Sequence, residues 1–134
     1  MNYVFDTSIL IVMFKHYYKD CFPSLWKKIE ECVNQERIIS VREAGKEIDK
    51  YHAVDDLTKW KLSNPSFFPP PTEKETKFIT EIFSIRHFQM LVDKKKIGGN
   101  YPIADPFVIA KAKFYPITVF SSEEKRNCCN KGVA

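Results

Sequence analysis

The sequence predicts an α/β fold built on a parallel sheet, and three observations carry that expectation. Three short β-type segments, Tyr3-Val4-Phe5, Ile38-Ile39 and Ile117-Thr118-Val119-Phe120, are separated by stretches whose apolar residues recur at helical spacing. Strands joined through helices favour parallel crossovers. The chain has 134 residues, 44% of them apolar, and no internal repeat, which suits a single domain over residues 1–134 and is too short for two.

The elements follow in order. Tyr3-Val4-Phe5 reads as a buried strand that ends at Asp6-Thr7-Ser8, a polar turn that can cap the helix resuming at Ile9. Pro23 sits where a first-turn proline is tolerated, and Leu25, Trp26, Ile29, Cys32 and Val33 then share one helical face. Ile38-Ile39 is a second strand, and Ser40 can cap a helix running through Glu43 and Glu47. Val54, Leu57 and the Trp60 region suggest a further helix on the surface. Residues 64–71 hold four of the eight prolines and two phenylalanines, a stiff connector too apolar to be a disordered linker. Thr72-x-x-Glu75 matches a capping box and opens a helix carrying Phe78, Ile79, Ile82, Phe83 and Ile85. Lys94-Lys95-Lys96 beside Gly98-Gly99 forms a basic loop. From Ile103 a last helix carries Ala104, Val108, Ile109 and Ala112 into the strand at Ile117. The order is β-α-β-α-α-α-α-β.

Composition narrows the function classes. The formal net charge of +4 permits a polyanionic partner without requiring one. No apolar run reaches the ~20 residues that span a bilayer, and residues 3–14 lack the basic leader and cleavage site of a secretory signal. The expected compartment is the cytoplasm, with no membrane association. Cys21, Cys32, Cys128 and Cys129 fit it as free thiols, and their spacing to His16, His52 and His87 makes no structural zinc pattern. Trp26, Trp60 and the Phe78–Phe83 stripe read as core.

The acids are the informative feature. Asp6 directly follows the first strand, Asp105 opens a helix after the Gly-Gly loop, and Glu123 follows the last strand. In open parallel sheets functional groups collect beyond the carboxyl ends of the strands. Glu43 and Glu47 are four residues apart and share a helix face, so either could point at the same cleft. Converging carboxylates repel one another unless a hard cation neutralises them; Mg²⁺ or Mn²⁺ suits oxygen donors, and the chemistry of such a site is phosphodiester hydrolysis by a metal-activated water. Each acid also has a plain structural reading. Asp6 could cap its helix, Asp105-Pro106 is a common helix-start pair, Glu123 belongs to a charge run, and Glu43 and Glu47 could be surface acids among Arg42, Lys46 and Lys50.

Four motifs in order resemble the PIN-domain ribonucleases over most of the chain. Tyr3-Val4-Phe5-Asp6-Thr7-Ser8-Ile9-Leu10-Ile11 is similar to that family's opening strand and Asp-Thr-Ser/Asn. Ile38-Ile39-Ser40 followed by Glu47-Ile48 resembles its second motif, and Ala104-Asp105-Pro106-Phe107-Val108-Ile109-Ala110 its third. Val119-Phe120-Ser121-Ser122-Glu123 resembles the fourth, with Ser and Glu where Thr and Asp are usual. Phe22-Pro23-Ser24-Leu25-Trp26 and Asp105-Pro106 are similar to a VapC-like bacterial subfamily. The resemblance implies a three-layer α/β/α fold whose C-terminal strand and helix are missing here. It implies that Asp6, Glu47, Asp105 and Glu123 hold Mg²⁺ or Mn²⁺, with Glu43 the fallback for Glu47. Thr7 or Ser8 would orient a ligand, and Ser121 would replace the usual Thr. The implied substrate is RNA, the implied partners an antitoxin and a second copy of the chain.

Lys94, Lys95, Lys96 and Tyr101 could contact RNA phosphates and a base, or form a solvated loop. The competing expectation is a PIN-like RNA- or protein-binding module without catalysis. A haloacid dehalogenase-type phosphatase would need a second Asp where Ser8 stands.

Overall fold

The computed structural model describes residues 2–51, 54–86 and 103–122. Three parallel strands form one sheet in the order β2-β1-β3: β1 is Asn2–Phe5, β2 Ile38–Ile39 and β3 Ile117–Phe120. Val4 lies opposite Ile39 on one side and Val119 on the other, which makes β1 the central strand and accounts for its full burial at Val4. Six helices flank the sheet among the described residues: α1 Thr7–His16, α2 Pro23–Asn34, α3 Arg42–Tyr51, α4 Asp55–Ser63, α5 Glu73–Ser84 and α6 Asp105–Phe114. The architecture is α/β with a parallel sheet, consistent with three layers.

The first crossover holds two helices, as the polar turn before Ile9 and the first-turn Pro23 predict, where the condensed order shows one. Phe22, at φ −128° and ψ 54°, leaves the helical region because Pro23 follows it, so α2 must start afresh. At its other end, α2 closes with a Schellman arrangement: the Glu36 amide donates to the Val33 carbonyl and the Arg37 amide to that of Cys32. Glu36 occupies the left-handed position at φ 54°, where glycine is usual.

One local expectation changes. Ser40 does not cap α3; its hydroxyl donates to the Phe5 carbonyl at 2.7 Å and its amide to the Phe67 carbonyl at 2.8 Å, tying β1 to the proline-rich connector. The α4 helix lies on the surface as expected, with Asp55, Asp56, Lys59, Leu62 and Ser63 exposed, but its inner face buries Leu57 and Trp60. Trp60 meets Phe67 edge-on at 5.0 Å, and Phe14 lies 4.8 Å from Trp26 and 5.7 Å from Trp60. The connector thus delivers Phe67 and Phe68 into the core, where each buried ring contributes on the order of 2 kcal/mol. Gly45 lets it do so: a Cβ there would stand 3.3 Å from the Phe68 ring and 3.1 Å from the Lys61 side chain.

The Thr72–Glu75 capping box forms as expected, with both reciprocal hydrogen bonds. From it, α5 packs on α6, and α6 in turn lies against β1 and β3. No helix among the described residues is long and apolar enough to cross a membrane. Lys94–Lys96, Tyr101, Glu123, Cys128 and Cys129 lie outside the described residues.

Candidate functional site

Strand register decides where the acids meet. Phe5 pairs with Phe120, and the Asp6 amide continues the ladder by donating to the Phe120 carbonyl at 3.1 Å. Asp6 and Ser121 therefore leave adjacent strands side by side. Asp6 is the N-cap residue of α1, yet its side chain makes no capping hydrogen bond. Its Oδ2 instead accepts from the Ser8 hydroxyl at 2.8 Å and from the Ser121 hydroxyl at 3.1 Å. Those two hydroxyls lie 3.1 Å apart, and the Ser122 amide donates to Ser8 Oγ at 3.2 Å. The plain reading of Asp6 as a helix cap is thus not what the side chain does.

Glu47 reaches the same place from α3. Its Oε2 accepts from the Thr7 hydroxyl at 2.6 Å, and its Oε1 from the Ala104 backbone amide at 3.0 Å. Thr7 is the neighbour of Asp6, and Ala104 is the neighbour of Asp105. One carboxylate therefore stitches the start of α1 to the start of α6 across 40 and 57 residues of chain. Asp6, Thr7 and Glu47 are all buried, whereas Asp105, the first residue of α6, is exposed. The amides at the start of α1 add a positive dipole end beneath the cluster.

Glu43 goes elsewhere. It is buried, but its carboxylate pairs with Arg42 at 2.9 Å and with Lys46 at 3.1 Å. The geometry brings Glu47, and not Glu43, to Thr7 beside Asp6. Asp6 is held by hydroxyls, and among the described residues no basic side chain pairs with it.

The donor set fits a hard cation in kind, since among the described residues its side-chain donors are carboxylate and hydroxyl oxygens. Among the described residues no group of three or more His, Cys, Asp or Glu side chains is arranged to hold a metal ion. Mg²⁺ commonly takes only one or two protein carboxylates, completing its shell with water and substrate phosphate, a number that Asp6 and Glu47 could supply.

The Ala104 amide and the Ser122 amide were not among the residues singled out from sequence. The signal for the first was present: the opening amides of a helix lack intrahelical partners, and Ala104 precedes a helix-start Asp-Pro. Comparison with curated proteins and with solved structures finds no match. Residues 3–133 match the model of a family described as a domain of unknown function (DUF4411), and the chain belongs to that family.

Proposed function

We propose that this chain is a PIN-like, metal-dependent endoribonuclease that hydrolyses RNA phosphodiester bonds. The observation that supports it is the Glu47 carboxylate joining Thr7 beside Asp6 to Ala104 beside Asp105 at the carboxyl ends of β1 and β3. Asp6 and Glu47, distant in sequence, are joined through Thr7 at the end of the sheet where ligands of such folds bind, and Asp105 follows the Ala104 amide that Glu47 holds.

Asp6, Glu47 and Asp105 are the residues that would hold Mg²⁺ or Mn²⁺, with Glu123 as a fourth acid. A bound divalent cation supplies charge neutralisation for the phosphate and a lower pKa for water. The chain's own contribution is preorganisation. Ser8 and Ser121 fix the Asp6 carboxylate, Thr7 and the Ala104 amide fix that of Glu47, and burial excludes competing water. Such supporting hydrogen bonds are worth about 10–100-fold in metal affinity or activity. The toxin role, an antitoxin partner and a homodimer extend the same proposal through the VapC-like motifs.

The test is the chemistry of the ends. With Mn²⁺, the chain is expected to cut single-stranded RNA to leave a 5′-phosphate and a 3′-hydroxyl, as attack by water requires. Products ending in a 2′,3′-cyclic phosphate, which need the ribose hydroxyl as nucleophile, overturn it. A second reading, a PIN-like binding module without catalysis, is favoured by one observation: no three acidic or imidazole side chains form a metal-holding group among the described residues. RNA binding without cleavage under any divalent cation selects that reading.

A further inference from the structure

One turn before Glu47 on α3, the buried Glu43 does something the proposed chemistry has not used. Its Oε1 accepts from Arg42 Nε at 2.9 Å and lies 2.9 Å from Arg42 Nη2, while Lys46 Nζ is 3.1 Å from Oε2. The carboxylate has only 8% of its side chain exposed, but the two cations have 47% and 52%. A buried acid therefore holds two half-exposed cations in fixed positions on the helix that supplies Glu47. The Arg42 amide is itself anchored on the Pro69 carbonyl at 3.1 Å, which fixes the first turn of α3. The group is a single net positive charge, and the guanidinium keeps three N–H donors beyond the two on Glu43.

A polyanion approaching Asp6 and Glu47 meets repulsion from both carboxylates. Cations beside the acids, held so that little side-chain entropy is lost on contact, are what a phosphate backbone needs there. We propose that Arg42 and Lys46 bind the non-bridging oxygens of the RNA phosphate next to the one that is cut; this rests on the reading of the acidic cluster as a nuclease site. The control comes from the other side of α6. Lys74 and Lys77 are exposed on α5, beside the Glu75 that bonds Lys111, and Lys111 is six residues, about 9 Å, along α6 from Asp105.

The test measures fluorescence anisotropy of a fluorescein-labelled 12-nucleotide single-stranded RNA of mixed sequence, without metal, on the full chain carrying Asp6→Asn so that the RNA stays intact. Removing both cations alone would strand the Glu43 charge, so the variant is Arg42→Ala/Glu43→Gln/Lys46→Ala, which lowers the net charge by one. Lys74→Ala/Lys77→Ala lowers it by two. The expected result is about tenfold weaker binding for the triple variant, with the slope of log K against log salt reduced by about 1.4, as loss of two phosphate contacts on a single strand requires. The control pair should change affinity less than twofold. Lys46→Gln alone, which leaves Glu43 partnered by Arg42, should weaken binding about threefold. Unchanged binding by the triple variant overturns the proposal, and so does a larger loss in the control pair, which means the general field and not these two groups holds RNA. Failure of the nuclease reading registers separately, as no cleavage by the unmutated chain in Mn²⁺.

Discussion

Four carboxylates are buried among the described residues, and two regions of the molecule treat them differently. Between α5 and α6, Glu75 accepts from Lys111 at 3.2 Å, and both side chains are almost wholly buried. The other oxygen of Glu75 closes the capping box on the Thr72 amide at 3.0 Å. Glu43 is likewise matched by cations. At the ends of β1 and β3, Asp6 is held by two serine hydroxyls and Glu47 by a threonine hydroxyl and a backbone amide. Burying a carboxylate costs several kcal/mol unless its charge is compensated. The α5–α6 region compensates it within the chain and gains a fixed helix pair. The strand-end region orients Asp6 with hydroxyls and, among the described residues, pairs no basic side chain with it, which leaves its negative charge available to a cation from outside.

The comparison fails first, and most visibly, at Asp6. Asp6→Asn is expected to reduce RNA cleavage by about 10³-fold or more, while the thermal midpoint of the metal-free protein stays level or rises, because a buried charge that no basic side chain among the described residues pairs is gone. A fall in midpoint with cleavage retained makes Asp6 a structural acid like Glu75. The converse experiment is Lys111→Met, which should cost about 3–5 kcal/mol by denaturant unfolding because it strands Glu75. Glu75→Gln/Lys111→Met keeps the capping box and should recover most of that loss. If the single variant is neutral, the two regions do not differ as argued.

Smaller effects sharpen the contrast. Thr7→Val removes the hydroxyl on Glu47 and should lower cleavage about 10–100-fold at a stability cost of about 1 kcal/mol; equal loss in both would make the bond purely structural. Glu36→Gly touches neither region. It relieves the left-handed residue at the end of α2 and should add about 0.5–1 kcal/mol to unfolding stability with cleavage unchanged.

The strands, the connector's apolar character and the capping box were legible because each depends on neighbours within a few residues. Asp6 and Asp105 were legible as acids at strand and helix ends, and the resemblance of the motifs chose Glu47 over Glu43. Helical spacing could not make that choice, since residues four apart share a face; it is settled spatially by Thr7 and Ala104 on one acid and Arg42 and Lys46 on the other. Ser40 carried a capping signal but sits beside β1, where the Phe5 carbonyl is the nearer partner for its hydroxyl. The second role of Glu75 was hidden because Lys111 lies 36 residues away. Glu36 was hidden because a Schellman end is normally announced by glycine.

On the proposed reading, Asp6 and its neighbours form an anionic site for a divalent cation. Calorimetric titration of Mn²⁺ into the full chain, the Asp6→Asn variant and the Lys111→Met/Glu75→Gln variant tests it most directly. Saturable binding is expected that is lost in Asp6→Asn and retained when the α5–α6 pair is removed. Binding that is the same in all three, or absent from the unmutated chain, contradicts it.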